Sequence, residues 1–494
     1  MTNSTRRAPV IVVVTIAIAA AFVVGPPTVQ LARSRSKPAV NSAPAVLASG
    51  SVRSSAWYCA MAAPDGHSAP GDGIIVSNFT SEIVPSDVSA ISRGIVVGRK
   101  RIDVVGHGSA RVALSELTRD RDAAIVVEAF AAGIVVEHTA SSGPASAATP
   151  CATESNSRWT FAAGTTRRGS TESIAIANPF GQNAIVDISL VTSQGSVSPD
   201  SMQSLEIGAR SRVAVNINGG ADQREVVAVE IVARGAARVV AELALGSPQP
   251  TIAPGARRAV RVVGELSLMV GSPTGSKQWH LVDVDGSRLL QHRVVVFNPT
   301  DAPLPVSLQT LLSGQSAVQQ TDVVVDARAV MAIDPLTRNS RHLDASVIVF
   351  SNTAEFVVGD LVTPAGAVST GPTSTLPASA TSAANAVLGG ASVASASATL
   401  ARRSVFAFDR VTPGDVVSIV IENASEHGAN IDVRAGSESV SRHLTIRANE
   451  RITIVLAKNT ISVPLSVESD QPVYVGRRIA GTEGITRTVG IPEQ

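Results

Sequence analysis

The residues best able to do chemistry in this chain are few and scattered. Its eight histidines are His67, His107, His138, His280, His292, His342, His427 and His443. His280 and His292 flank a stretch that also carries Asp283 and Asp285, residue types able to ligate a metal or move a proton. Asp283-Val284-Asp285-Gly286 has the start of a calcium loop but lacks the later Asp/Asn and the distant Glu. The plainer reading of this stretch is a hairpin turn with both histidines exposed beside it. No GxSxG, HExxH, GxxxxGK[ST] or GxGxxG motif occurs. Catalytic residues, metal ligands and cofactors are therefore expected to be absent.

The two cysteines, Cys59 and Cys151, have no CxxC or metal-ligand spacing. In an exported chain their simplest fate is one disulfide, worth about 2–4 kcal/mol. The alternative is a pair of unpaired small core residues. Asn78-Phe79-Thr80 and Asn423-Ala424-Ser425 fit a glycosylation sequon, but both coincide with a recurring turn that accounts for them. A formal net charge of +1 and the lack of any basic block interleaved with aromatics argue against nucleic acid. Arg99-Lys100-Arg101 reads as a solvated strand end.

The elements that must position these residues are strands. Aromatics are only 3% of the chain, while Val-rich runs alternate with Gly, Pro, Asn and Ser clusters. A unit of about a hundred residues recurs four times. Trp57, Trp159 and Trp279 each open a copy, with Phe406 or Phe408 in the matching place of the fourth. A β-run then ends in Asn78, Asn178, Asn298 or Asn423, where the chain turns. Two further alternation–turn–alternation segments follow in each copy and read as hairpins. Arg111, Arg212 and Arg451 are expected to flank the first of these turns and face solvent. Glu128, Glu230 and Glu468, in the last segment, are candidates to pair with them. The tryptophans could stack on sugar rings, but their shared register favours packing.

This pattern predicts an all-β protein of tandem antiparallel β-sandwich (Ig-like) modules. A propeller is the alternative, for which the unit is long per blade. The expected domains are β-module 1 (51–140), β-module 2 (150–246), β-module 3 (257–367), a Ser/Thr/Ala/Pro/Gly-rich flexible linker (368–398) and β-module 4 (399–494). Residues 1–30 read as a cytoplasmic tail and signal-anchor helix, and 31–50 as a linker. The uncharged apolar run Ala8–Gly25 follows Arg6-Arg7 and ends at Pro26-Pro27, which favours an uncleaved transmembrane helix over a cleaved signal peptide. Arg33, Arg35 and Lys37 oppose the usual orientation, yet the cysteines and the early apolar segment place the bulk outside.

Copy two resembles a repeat of exported bacterial proteins: WYFAEG, an NP turn, PARSR, then VESxxPVVAER. The corresponding residues are Trp159 to Gly164, Asn178-Pro179, Ala209 to Arg212 and Val240-Ala241-Glu242. Copy four supplies Val467-Glu468-Ser469 and Pro472-Val473. The chain is similar in this to the uncharacterised actinobacterial DUF5719 family, and the resemblance implies export and repeat architecture without an activity. The expected function is a non-enzymatic, membrane-anchored extracytoplasmic scaffold or protein-interaction role in the cell envelope, with envelope proteins as partners. Cell-wall glycan binding or adhesion is the alternative, and an unrecognised envelope enzyme a third.

Overall fold

A computed structural model describes residues 43–48, 50, 52–142, 145–247, 266–284, 286, 290–314, 318–336, 340, 343–364, 391–407, 416–456, 463–481 and 484–493. The chain divides into residues 1–35 and 36–494, and all described residues belong to the second unit. The anchor expected over Ala8–Gly25 lies outside them. Among the described residues no helix is long and apolar enough to cross a membrane.

The described unit is all-β, with antiparallel sheets throughout. Module 1 runs β1 (Ser55–Cys59), β2 (Gly73–Asn78), β3 (Val84–Ser92), β4 (Ile95–Val104), β5 (Ser109–Ala113), the one-turn α1 (Leu114–Leu117), β6 (Ala124–Ala129), β7 (Ile134–Ser142) and β8 (Ala145–Pro150). One sheet has the order β1-β6-β3-β4 and the other β5-β2-β7-β8. Module 2 repeats this with β9 (Arg158–Phe161), β10 (Thr171–Asn178), β11 (Ala184–Thr192), β12 (Gly195–Val197), β13 (Leu205–Ile207), β14 (Ser211–Asn216), β15 (Ala228–Ala233), β16 (Val240–Gly246) and β17 (Leu266–Val270). Module 3 has β18 (Gln278–Val284), β19 (Leu290–Phe297), β20 (Leu304–Leu312), β21 (Val318–Val325), β22 (Val330–Ile333), β23 (Ala345–Phe350), β24 (Val357–Pro364) and β25 (Ser392–Ser395). Module 4 has β26 (Ala401–Phe406), β27 (Val416–Asn423), β28 (Ala429–Ala435), β29 (Glu438–Ile446), β30 (Glu450–Val455), the long β31 (Leu465–Gly481), β32 (Gly484–Val489) and β33 (Ile491–Pro492).

Pairing corrects the expected hairpins. The segment from Ile102 puts its two halves in different sheets: β4 pairs with β3, and β5 with β2. The same split separates β13 from β14, β21 from β22 and β29 from β30. The closing segments split likewise, β6 joining β1 and β3 while β7 joins β2 and β8. These turns are arches between two sheets. The strand order also departs from the immunoglobulin arrangement, in which the first strand pairs with the second and the seventh with the sixth. Here the first strand pairs with the sixth, and the seventh with the second.

The last strand of each second sheet comes from the chain leaving the module. β8, β17 and β25 fill that edge in modules 1 to 3, and β32 fills it in module 4. These four inner strands meet one another in a closed cycle. Thr149 Oγ1 of β8 accepts from Val270 N of β17 at 3.1 Å, and Ser267 Oγ of β17 bonds Ser392 Oγ of β25 at 3.1 Å. Ser392 Oγ also donates to Ile485 O of β32 at 3.4 Å, and Thr486 Oγ1 of β32 donates back to Ser146 O of β8 at 3.0 Å. The modules therefore form a ring. Residues 392–395, expected in a flexible linker, are one of its inner strands, because a short Ser/Val/Ala strand suits the crowded centre. The remainder of that linker, up to residue 390, lies outside the described residues.

The recurring asparagine positions every module in the same way. Each is buried. Its Nδ2 donates to the carbonyl four residues on, in Glu82, Gln182, Ala302 and His427, at 2.6–2.8 Å. It also donates to the strand entering the first arch, at Val104, Ile207, Val325 and Ile446. Its Oδ1 accepts from the backbone two residues on. An amide side chain is the type that can do both at once. The two sequon nitrogens are thus spent inside the fold.

Candidate functional site

Interior charge is concentrated where modules meet. Between modules 1 and 2, Arg212 of β14 is 7% exposed. It donates to the carbonyls of Ala60 (2.8 Å), Met61 (2.7 Å) and Gly66 (3.0 Å). Burial lowers the pKa of its guanidinium, and Asp122 opposes that shift. Nearby, His138 of β7 contacts Glu242 of β16 through Nδ1, both buried.

The seam between modules 3 and 4 repeats the arginine with more charge. Arg451 of β30 donates to Val282 O at 3.0 Å and to Asp283 at 3.2 Å. Counted from the tryptophan, Val282 stands where Ala60 stands in module 1. Asp283 also meets Arg478 at 3.3 Å and Arg487 at 3.4 Å. Arg487 reaches Asp360, which pairs with His292 at 3.0 Å. His280 pairs with Glu422 at 2.9 Å and stacks on Tyr474 with centroids 3.6 Å apart. Burial, then the Glu422 charge, holds the Tyr474 hydroxyl well above its ordinary pKa.

The seam between modules 4 and 1 has one wholly buried ion pair, Arg477 to Glu137 at 2.8 Å. Glu137 also accepts from Ala407 N at 3.0 Å. Burial raises its pKa, against the pull of Arg477. The seam between modules 2 and 3 carries more exposed pairs, Arg293–Glu225 at 3.3 Å and Arg328–Glu230 at 3.8 Å, together with close approach. A Cβ at Gly359 would lie 2.8 Å from that of Ala163.

Several sequence expectations change here. Arg212 and Arg451 are buried, not solvent-facing, because their arch turns inward onto the preceding module; Arg111 is exposed. Glu230 pairs with Arg158 and Arg328, and Glu468 with Arg403 and Arg434, so none of these glutamates pairs with the arch arginines. His280 and His292 are buried instead of flanking a hairpin, since β18 and β19 belong to different sheets. Asp285 lies outside the described residues. Among the described residues no group of three His, Cys, Asp or Glu could hold a metal. The signal that was overlooked is a charge inside an apolar strand, as at Glu137-His138, Glu242, Asp360, Glu422 and Arg477.

Trp57, Trp159 and Trp279 are all buried, the last two donating from Nε1 to Val239 O and Phe356 O at 2.7 Å each. The fourth copy shifts the register. Trp57, Trp159 and Trp279 pair with Val127, Ile231 and Val349, whose counterpart Val467 pairs with Ser404. Phe406 instead occupies the register of Phe161 and Cys59, and Phe408 lies outside the described residues. Cys59 and Cys151 form a disulfide with Cα atoms 4.7 Å apart. An apolar cleft of about 790 Å³, counting its open mouth, lies at the ring centre. It is lined by the ends of the four inner strands and by Ala43, Pro44 and Ala45.

Residues 107–255 match the model of a family of unknown function, DUF5719. Over that stretch the chain is similar to DUF5719. The DUF5719 match starts at the first arch of module 1 and takes in all of module 2, where the WTFAAG, NP and ARSR residues stand. No curated protein matches. Among solved structures, a tetra-tandem repeat from the extending region of a large adhesion protein is 11% identical, covering 85% of this chain and 94% of that one, with a TM-score of 0.11. A Streptomyces avermitilis alpha-L-rhamnosidase complexed with L-rhamnose is 10% identical, covering 76% and 47%, with a TM-score of 0.12.

Proposed function

We propose that this protein is a non-enzymatic scaffold of the cell envelope, anchored by its N-terminal apolar run, with its β-sandwich modules held outside the membrane. The observation that carries this reading is where its ionisable groups are used. Buried pairs such as His138–Glu242, Arg451–Asp283, His280–Glu422 and Arg477–Glu137 join one module to the next, which makes for a rigid platform, and among the described residues no nucleophile and base converge in the central cleft. The disulfide suits an oxidising compartment. Protein partners would meet the outer faces of the ring. Cross-linking in intact cells, followed by pull-down with the full chain, tests this. Recovery of specific envelope proteins without binding to purified wall polysaccharide is the expected result. Saturable polysaccharide binding without protein partners would overturn it. A reporter active only outside the cytoplasm, fused after Gln494, should be active.

One observation favours glycan binding as the second reading. The tryptophans are buried, but Phe180 is 41% exposed. It lines a groove with Gln182, Asn183 and Arg238, an arrangement of ring face and polar groups suited to a sugar. Loss of polysaccharide binding in Phe180→Ala, with the fold intact, would promote this reading over the scaffold.

A further inference from the structure

Three seams of the ring are crossed by the chain. Residues 151–157 lead from β8 into module 2, and β17 and β25 lead into modules 3 and 4 in the same way. After each inner strand the chain pairs once more with the first strand of the module it is leaving, through Tyr58–Ala152, Thr160–Ser272 and His280–Ser397. Among the described residues the seam between modules 4 and 1 has no such crossing. It is closed by the Arg477–Glu137 pair, the Thr486–Ser146 contact, an Arg403–Phe79 cation–π contact at 5.9 Å and the two chain ends. There Leu47 forms a parallel bridge to Glu493, and its N–H donates to Pro492 O at 2.9 Å. Thr153 N donates to Pro44 O at 3.1 Å.

The segment Ala43–Leu47 has a telling position. Ala43 precedes Trp57 by the same spacing as Ala145, the start of β8, precedes Trp159. By register it is the counterpart of an inner strand, yet β32 occupies the inner slot of module 4. The displaced segment becomes a strap across the cleft mouth, with Leu47 buried in the core of module 1 beside Val405, Ala407 and Ile491. Among the described residues the strap is held by two main-chain bonds and the bridge at Leu47, whereas the whole length of β8 pairs with β7.

We propose that the ring has one gate, the seam between modules 4 and 1, and that the strap Ala43–Leu47 is its latch over the central apolar cleft. Opening there breaks no covalent link and needs no inner strand to leave its sheet. It uncovers the cleft beside Phe161, Met269, Val358 and Ile491. Release of the strap and access to the cleft are then one event.

Native-state hydrogen exchange on the full chain tests the gate. The amides of Leu47 and Ala407, which donate across the seam to Pro492 O and to Glu137, are expected to exchange at least tenfold faster than those of Ser272 and Ser397. In Arg477→Met, the first two should rise a further tenfold while the second two hold. Leu47→Ala leaves the ion pair intact and should raise the same two amides, together with fluorescence of the apolar dye 1-anilinonaphthalene-8-sulfonate. Equal protection at all four amides in the wild type would overturn the proposal. So would a uniform rise in both variants, or a Leu47→Ala protein with unchanged exchange and dye binding. Should Arg477→Met fail to fold, the wild-type and Leu47→Ala measurements decide alone.

Discussion

Modules 1 and 2 solve one problem at one register with different bonds. In module 1, Cys59 of the first strand is joined by a disulfide to Cys151 of the departing chain. In module 2 the same two places hold Phe161 and Gly271, and in module 4 they hold Phe406 and Gly490. A Cβ at Gly271 would stand 2.8 Å from Phe161 Cζ, and one at Gly490 would stand 3.3 Å from Phe406 Cζ. The departing chain must lie flat on the first strand in every module. A large ring does this only over glycine, whereas two cysteines do it with a covalent bond and little volume. The covalent version belongs to the module that also borders the proposed gate.

The comparison can be broken from the aromatic side first. Phe161→Ala should cost about 3–5 kcal/mol, since it empties a buried ring site, read by chemical denaturation. A loss below about 1 kcal/mol would mean that the ring is not what holds β17 in place. Replacing both cysteines by serine should cost about 2–4 kcal/mol. Reductant should then have no further effect on melting, while it should still lower the melting temperature of the Phe161→Ala protein. Gly271→Ala should cost about 1–3 kcal/mol by overpacking, and Gly490→Ala a similar amount, because an added Cβ there meets Ser404 Cβ at 2.9 Å. No measurable cost at either glycine would contradict the distances.

A second shared register sharpens the contrast at lower cost. Six residues before the recurring asparagine stand Asp72 and Glu172, both buried. Asp72 accepts from Ala69 N at 2.7 Å and from Ser141 N at 2.9 Å. Glu172 accepts from Thr165 N at 2.6 Å, and its second oxygen has no partner. Burial accordingly pushes Glu172 up to about 8. With the folded pKa above the unfolded one, its contribution is fully present below pH 4.5 and is lost as pH rises through about 8, at roughly 1 kcal/mol per pH unit at most. Glu172→Gln, the isostere of the protonated acid, should barely change stability near pH 5 but raise it at pH 7 and flatten its slope between pH 5 and 8. An unchanged slope in melts across that range would assign the pH dependence elsewhere.

Much of this was legible in the residues. Alternating runs and turn-formers marked the strands, and the asparagine at each strand end marked the turn it builds. The paired cysteines could be read from their count and spacing. Arches could not be told from hairpins, because alternation, a polar turn and alternation again describe both. Which occurs depends on whether the two strands find partners beside each other or across the core. The fourth tryptophan place is not legible in the sequence for a related reason. An aromatic two residues away lies on the same face of a strand, so Phe406 looked equivalent until its pairing placed Ser404 there.

The sequence by itself determined the all-β class, the fourfold repeat and its turns, since these rest on local conformational preference and on the period of apolar residues. Only the tertiary structure decided that the modules close into a ring, that each sheet takes its last strand from the departing chain, and that the arginines and histidines are buried. Those outcomes rest on contacts between residues up to 340 positions apart, as at Glu137 and Arg477. A buried charge is tolerable only beside its partner, and that partner is named by packing, not by proximity along the chain.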